Sequence, residues 1–215
     1  LSEKYRSLAV LLIDGSLGQM MEPAELPEMQ PVRAAYPHWA ARGATGRGRI
    51  IHTSIYLNPI EQEKTNLRIL SRWREVQAKE VRFKEYYLDD AEYAIIAFGT
   101  AGRVALSAVR AARAAGIKVG LLRPITLAPF PGNAVRDLAK RVQSLLVVEM
   151  NNGQMVDDVL ANIHDQTPVE FYGRPGGNVP LAEEILTEIK RIVKGKLTLN
   201  GHPRDRWLDR MLTKS

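Results

Sequence analysis

Four short stretches collect the polar side chains and glycines from which a ligand site is built: Gly99-Thr100-Ala101-Gly102-Arg103, Arg123-Pro124-Ile125-Thr126, Glu149-Met150-Asn151-Asn152-Gly153-Gln154 and Tyr172-Gly173-Arg174-Pro175-Gly176-Gly177. Glu149 follows an apolar run and precedes the amides Asn151 and Asn152, so its carboxylate can act as general acid, general base or orienting hydrogen-bond acceptor. A lone carboxylate is not a mechanism. No second carboxylate, Ser/His pair or lysine with a matching motif stands beside it in sequence, which favours an ion pair or a helix cap. The first stretch lacks the first two glycines at the G-x-G spacing, and Arg123 stands where an acid would grip a ribose, so a dinucleotide site is disfavoured. Arg174 among glycines suits a turn that brings backbone close to something flat or anionic; the same glycines also serve turns that only need left-handed dihedrals. A fifth stretch, Asp14-Gly15-Ser16-Leu17-Gly18-Gln19-Met20-Met21-Glu22-Pro23, follows the apolar run Leu8 to Ile13.

Strands and helices must position these residues. From Ala91 to about Val193, short apolar runs alternate with helical patterns, which predicts an α/β domain with a mainly parallel sheet and flanking helices. Its strands are expected at Tyr93 to Phe98, Ile117 to Leu122, Leu145 to Val148 and Pro168 to Tyr172, and its helices near Val104 to Ala112, Ala134 to Val142, Met155 to Ile163 and Leu181 to Val193. Ligands of such sheets sit outside the carboxyl ends of the strands, where all four stretches fall. Upstream, Asn58-Pro59 marks a helix start, and Ile69, Trp73, Val76, Phe83 and Tyr87 continue one apolar side to about Tyr87. Residues 49–56 are expected as a short extended piece. Leu8 to Ile13 has the composition of a buried strand, and such a strand cannot satisfy its backbone alone, so a sheet must be completed by residues elsewhere.

Composition narrows the chemistry. With 45% hydrophobic and 25% charged residues, the 215-residue chain has the make-up of a soluble globular protein, and no apolar run nears the ~20 residues that cross a bilayer. It has no cysteine, which excludes disulfides, a thiol nucleophile and thiolate-held zinc or iron-sulfur clusters within it. The four histidines, His38, His52, His164 and His202, lack paired metal-site spacing, so no metal is expected. Its net charge of +6 is concentrated in two places: Arg33, Arg42, Arg47 and Arg49 in a glycine-punctuated stretch without acids, and a closing stretch from Lys190 through Lys194, Lys196, Arg204, Arg206 and Arg210 to Lys214. Solvated surface is the expected role of both, with a docking site for an acidic protein or RNA as the alternative and dedicated nucleic-acid binding unlikely. The start lacks a signal-peptide pattern, which makes a cytoplasmic location the expectation.

Taken together, Asp14 to Pro23, Leu122-Arg123-Pro124-Ile125-Thr126-Leu127-Ala128-Pro129-Phe130-Pro131, Glu149-Met150-Asn151-Asn152-Gly153-Gln154-Met155 and Tyr172 to Gly177 resemble the alpha subunit of 2-oxoacid:ferredoxin oxidoreductases. The likeness spans nearly the whole chain and is nearest the branched-chain type acting on 2-oxoisovalerate (3-methyl-2-oxobutanoate), with the 2-oxoglutarate enzyme close behind. It implies the end of a thiamine-pyrimidine-binding domain with a long basic loop over residues 1–58, a linking helix over 59–90, a transketolase C-terminal-like domain over 91–200 and a tail over 201–215. It also implies a multisubunit enzyme that decarboxylates a 2-oxoacid on thiamine diphosphate and magnesium, passes electrons through iron-sulfur clusters to ferredoxin, and delivers the acyl group to coenzyme A. Those cofactors would be held by the rest of alpha and by beta, gamma and delta-type subunits, none by this chain alone, which would supply packing structure and be inactive by itself. The resemblance carries over no catalytic residue. Gly15, Ser16, Gly18, Gln19, Arg123, Glu149, Asn151, Asn152 and Arg174 stand as candidates for the active-site edge or an interface.

Overall fold

The computed structural model describes residues 1–29, 36–163, 167–195, 197 and 199–213. They divide into two compact units, residues 1–20 with 75–215 and residues 21–74. The elements run α1 (Ser2–Tyr5), α2 (Gly15–Gln19), α3 (Pro59–Lys79), β1 (Phe83–Tyr86), β2 (Tyr93–Ala97), α4 (Gly99–Ala114), β3 (Val119–Pro124), α5 (Gly132–Ala139), β4 (Ser144–Glu149), α6 (Met155–Asn162), β5 (Val169–Gly173), α7 (Ala182–Lys194) and α8 (Pro203–Leu212).

The larger unit is built on one five-stranded sheet in the order β1-β3-β2-β4-β5. β2, β3, β4 and β5 are parallel, and β1 pairs antiparallel with β3 at one edge. Every residue of β4 and β5 is buried, as continuous apolar strands require when helices cover both faces. From β2 the chain moves through α4 to β3, then crosses back over β2 through α5 to β4 and outward through α6 to β5. Right-handed crossovers running in opposite directions put their helices on opposite faces. α4 accordingly packs beside α7, and α5 beside α6. α4 turns a stripe of small residues inward, Ala101, Ala105, Ala108 and Ala112 at helical spacing, so its backbone lies close to the sheet. A Cβ on Gly102 would stand 2.7 Å from the Ala97 carbonyl oxygen, which is how tight that approach is.

Four strands and four helices fall where apolar periodicity places them, with ends displaced by one to a few residues, most at the start of α4. Three upstream expectations are corrected. Leu8 to Ile13 forms no strand among the described residues and is exposed throughout; it pairs with none of β1 to β5. Residues 49–56 likewise carry no strand. The helix capped by Asn58, whose Oδ1 accepts the Ile60 N–H at 2.9 Å, stops at Lys79 instead of running to Tyr87. Phe83–Tyr86 becomes β1, because Lys84 pairs with Arg123 and Tyr86 with Leu121 on an open edge of β3. There the ladder overrides helical periodicity. None of α3's residues is buried.

The basic C-terminal stretch, expected as solvated surface, is largely a packed helix. α8 lies along β5, the sheet's other edge, with Trp207 edge-on to Phe171 at 5.3 Å. Arg206 donates to the Val169 carbonyl at 2.5 Å and Arg210 to the Phe171 carbonyl at 3.3 Å, so α8 covers edge acceptors that another strand could otherwise recruit. The same guanidiniums reach buried carboxylates. Glu170 pairs with Arg191 at 2.6 Å and with Arg206 and Arg210 at 3.3 Å, while Glu188 pairs with Arg191 at 2.8 Å and Arg210 at 3.5 Å. Three elements, β5, α7 and α8, meet in this network.

At the amino-terminal side, Glu80 is buried and accepts from Tyr5 at 2.6 Å, Lys4 at 2.8 Å and Arg82 at 3.0 Å. The hydrogen bond from Lys4, then that from Tyr5, hold its carboxyl down at about 2.

Two predictions follow from these contacts. Glu170→Ala leaves Arg191, Arg206 and Arg210 without their shared acid and should cost about 3 to 5 kcal/mol, read as a lowered midpoint in denaturant unfolding. Because the folded carboxyl of Glu80 lies below its ordinary value of 4.5, the stabilisation is complete above that value and drains as pH falls from 4.5 toward 2. Hydrogen exchange should show residues 1–7 released over that interval ahead of the sheet, and Glu80→Gln should remove the pH dependence.

Candidate functional site

Two neighbouring parallel strands whose connections leave in opposite directions open a crevice between their carboxyl ends, and here those strands are β2 and β4. Beyond β2 stand Phe98, Gly99 and Thr100; beyond β4 stand Met150 and Asn151.

Glu149 ends β4, fully buried. Its Oε2 accepts the backbone N–H of Gln154 at 3.2 Å and of Met155 at 3.0 Å, and its Oε1 accepts that of Val156 at 3.0 Å. These are orphan donors of the first turn of α6, so the carboxylate serves as a helix cap delivered from a neighbouring strand. Both oxygens are engaged in the cap, and the side chain is fully buried. Its carbonyl accepts the Arg174 N–H at 3.1 Å, extending the β4–β5 ladder past Gly173. Asn151 accepts the Gly153 N–H at 2.7 Å through Oδ1, and Asn152 is exposed. Arg174 reaches Glu184 in the first turn of α7 at 3.2 Å, and Glu184 also accepts the Leu181 N–H at 2.9 Å. Burial, with Glu184 adding, pushes the Tyr172 phenol up. Glu149, Asn151 and Arg174 thus form one cluster at the ends of β4 and β5.

The second cluster surrounds the first turn of α4. Asp14 caps α2, its Oδ1 accepting the Leu17 N–H at 2.8 Å, while its Oδ2 accepts the Thr100 hydroxyl at 2.6 Å. The Thr100 bond, then that from Leu17, hold the Asp14 carboxyl below its ordinary range. The contact joins residues 86 positions apart and pins α2, with Gly15, Ser16, Gly18 and Gln19, to the end of β2. Half-buried Arg123, near the end of β3, lies against the same turn: its Cγ is 3.2 Å from where a Gly102 Cβ would stand. Neither Asp14 nor Thr100 stood among the candidates. Asp at a cap position before a short helical run was the available sign for Asp14; no local pattern points to its partner.

No group of three His, Cys, Asp or Glu side chains among the described residues could hold a metal ion. His202 caps α8 and pairs with Asp157 at 3.0 Å, and His52 meets the Trp39 carbonyl at 2.8 Å. In the arginine-rich stretch, Arg42 lies 5.0 Å from the Tyr36 ring and Arg47 donates to the Ala40 carbonyl at 3.2 Å. Arg33, His164, Lys196 and Lys214 lie outside the described residues. No described helix is long and apolar enough to cross a membrane.

Residues 91–185, which hold β2 to β5 and both clusters apart from Asp14 and α2, match pyruvate:ferredoxin oxidoreductase core domain II. Over 194 residues, 89% of this chain and 54% of the relative, the sequence is 41% identical to the ketoisovalerate oxidoreductase subunit VorB of Methanothermobacter marburgensis. This chain is homologous to 2-oxoacid:ferredoxin oxidoreductase subunits. It spans about half the length of the curated relatives it matches. The 2-oxoglutarate synthase subunit KorA of the same organism is 29% identical over 215 aligned positions, covering 88% of this chain and 57% of KorA. Among solved structures, the 2-oxoglutarate:ferredoxin oxidoreductase from Magnetococcus marinus superposes with a TM-score of 0.60 at 20% identity over 71% of this chain and 28% of that one, which establishes shared fold. The sheet domain has the mainly parallel α/β architecture with flanking helices that the alternation of apolar runs and helical patterns predicts.

Glu149→Ala should strand three N–H groups, two of them buried, and cost about 3 kcal/mol, whereas Glu149→Gln, which keeps an acceptor, should cost about half as much. Thermal unfolding checks both. In the homologous region of an assembled enzyme, Glu149→Gln should lower the melting temperature while turnover per folded molecule stays near that of the parent.

Proposed function

We propose that the chain is part of an alpha-type subunit of a thiamine-diphosphate-dependent 2-oxoacid:ferredoxin oxidoreductase of the branched-chain type. The reaction is oxidative decarboxylation of 3-methyl-2-oxobutanoate to an acyl-coenzyme A, with the electrons passed to ferredoxin. The observation that carries it is the 41% identity to a ketoisovalerate oxidoreductase subunit across 89% of this chain, against 29% for the 2-oxoglutarate synthase subunit. The Magnetococcus enzyme, which binds 2-oxoglutarate, coenzyme A and succinyl-CoA, supports the same class of acyl transfer for the whole complex.

Within that enzyme this chain supplies packing structure at the edge of the site. Thiamine diphosphate, where bound, supplies the chemistry of decarboxylation. The residues here do not fit its metal-bridged diphosphate or an iron-sulfur cluster, since the sequence has no cysteine and its one carboxylate at the β4 end caps α6. What this chain does is hold an edge in place: Asp14 fixes α2 against Thr100, and Glu149 and Glu184 fix the turns bearing Asn151 and Arg174. Residues 1–58 as the end of a pyrimidine-binding domain, beta, gamma and delta-type partners, and a cytoplasmic location belong to the same proposal.

The test is to purify the native complex that contains this sequence and follow coenzyme A-dependent reduction of ferredoxin or a viologen dye. Turnover with 3-methyl-2-oxobutanoate should exceed that with 2-oxoglutarate or pyruvate, and thiamine diphosphate should be recovered from the protein. The 215-residue polypeptide alone should reduce no dye. Equal turnover on 2-oxoglutarate would move the substrate assignment, and activity of the isolated chain would overturn the packing role.

A further inference from the structure

Glu63, Leu67, Leu70 and Arg74 of α3 follow one another at spacings of four, three and four residues, which lines them up as a single seam along the helix. All four are exposed, Leu67 by 60% and Leu70 by 58%, and Ile60, 62% exposed, extends the seam toward the helix start. The two charges that bracket the leucines have no counterpart on their own helix. No base stands three or four residues from Glu63, and no acid three or four from Arg74. Off the seam, Lys64 does pair with Glu61 and Lys79 with Glu75, each at 2.8 Å. The side chains of Glu63 and Arg74 make no ion pair or hydrogen bond with any described residue.

The seam reads the same from either end, except that the charge changes sign. Two copies laid antiparallel, with a two-fold axis between Leu67 and Leu70, set Leu67 against Leu70 of the second copy and Glu63 against its Arg74. Each contact then occurs twice, as a self-complementary two-fold interface requires. The four-three-four spacing is also the one at which side chains of paired helices interlock. A parallel pair would instead set Glu63 on Glu63 and Arg74 on Arg74. An unrelated partner or a lipid surface accounts for the leucines but not for the inverted symmetry of the charges around them. From Glu63 to Arg74 the seam is only about 17 Å long, and its two leucine layers bury less than the ~1,200 Å² of a stable interface. The contact is therefore weak for the isolated chain, and the charge pairs decide whether it forms and in which direction.

We propose that α3 is a self-association surface, on which two copies of this chain pair antiparallel through Glu63, Leu67, Leu70 and Arg74. The pairing lies beyond the enzyme reading and stands whether or not that reading does.

Sedimentation equilibrium of the 215-residue chain from micromolar to millimolar concentration tests it. The parent should show a reversible monomer–dimer equilibrium that weakens with salt. Glu63→Arg sets arginine against arginine at both ends of the pair, and Arg74→Glu sets glutamate against glutamate, so each should raise the dimer dissociation constant about 30-fold or more. An equimolar mixture of the two variants restores an arginine–glutamate pair at both ends and should recover parental association as a heterodimer. Both positions are exposed, so each variant should melt with the parent, and recovery on mixing separates lost pairing from lost folding. A parent that stays monomeric throughout, single variants that dimerise like the parent, or a mixture that stays monomeric would each overturn the proposal. Loss of a different polypeptide from the native complex with Glu63→Arg, not rescued by Arg74→Glu, would mark that polypeptide as the occupant of the seam and overturn self-pairing as well.

Discussion

A parallel sheet covered on both faces takes water away from the buried ends of its strands, so a carboxylate buried there must find its partners within the protein. Glu149 is where that constraint is met. A single carboxylate at the end of the interior strand β4 receives three N–H groups from the start of α6, while its own carbonyl extends the ladder to Arg174. Strand, helix and following turn are therefore fixed by one residue. The geometry of Asn151 and Arg174 depends on it.

The outer limits of the same sheet are handled by charge. At β5, arginines from α8 donate to edge carbonyls and at the same time neutralise Glu170 and Glu188, which would be costly to bury alone. At the other limit β1 closes β3 by antiparallel pairing. The sheet's edges are thus a short antiparallel strand on one side and a strand covered by α8 on the other.

Much of the fold was legible because it is written in local pattern. Ile95, Ile96, Leu145, Leu146, Val147 and Val148 are completely or almost completely buried, as unbroken apolar runs demand. Asn58 before Pro59 marked the start of α3, and Glu183 and Glu184 marked that of α7. The spacing of Phe83 and Tyr87 continues a helical face, and only the free edge of β3 makes an extended strand the better state for Phe83–Tyr86. The C-terminal arginines looked solvated because their acids, Glu170 and Glu188, lie in other elements.

The amino-acid order by itself determined the alternation of strands and helices, the edge on which Arg123, Glu149 and Arg174 fall, and, through the absence of cysteine, the chemistry this chain cannot perform. Periodicity and composition act over a few residues, and a sequence displays them directly. The tertiary structure alone decided that Glu149 is a cap, that α8 seals β5, and that Asp14 reaches across 86 positions to Thr100. Hydrogen bonds and ion pairs depend on distances of a few ångströms in space, and those distances exist only once the chain has folded.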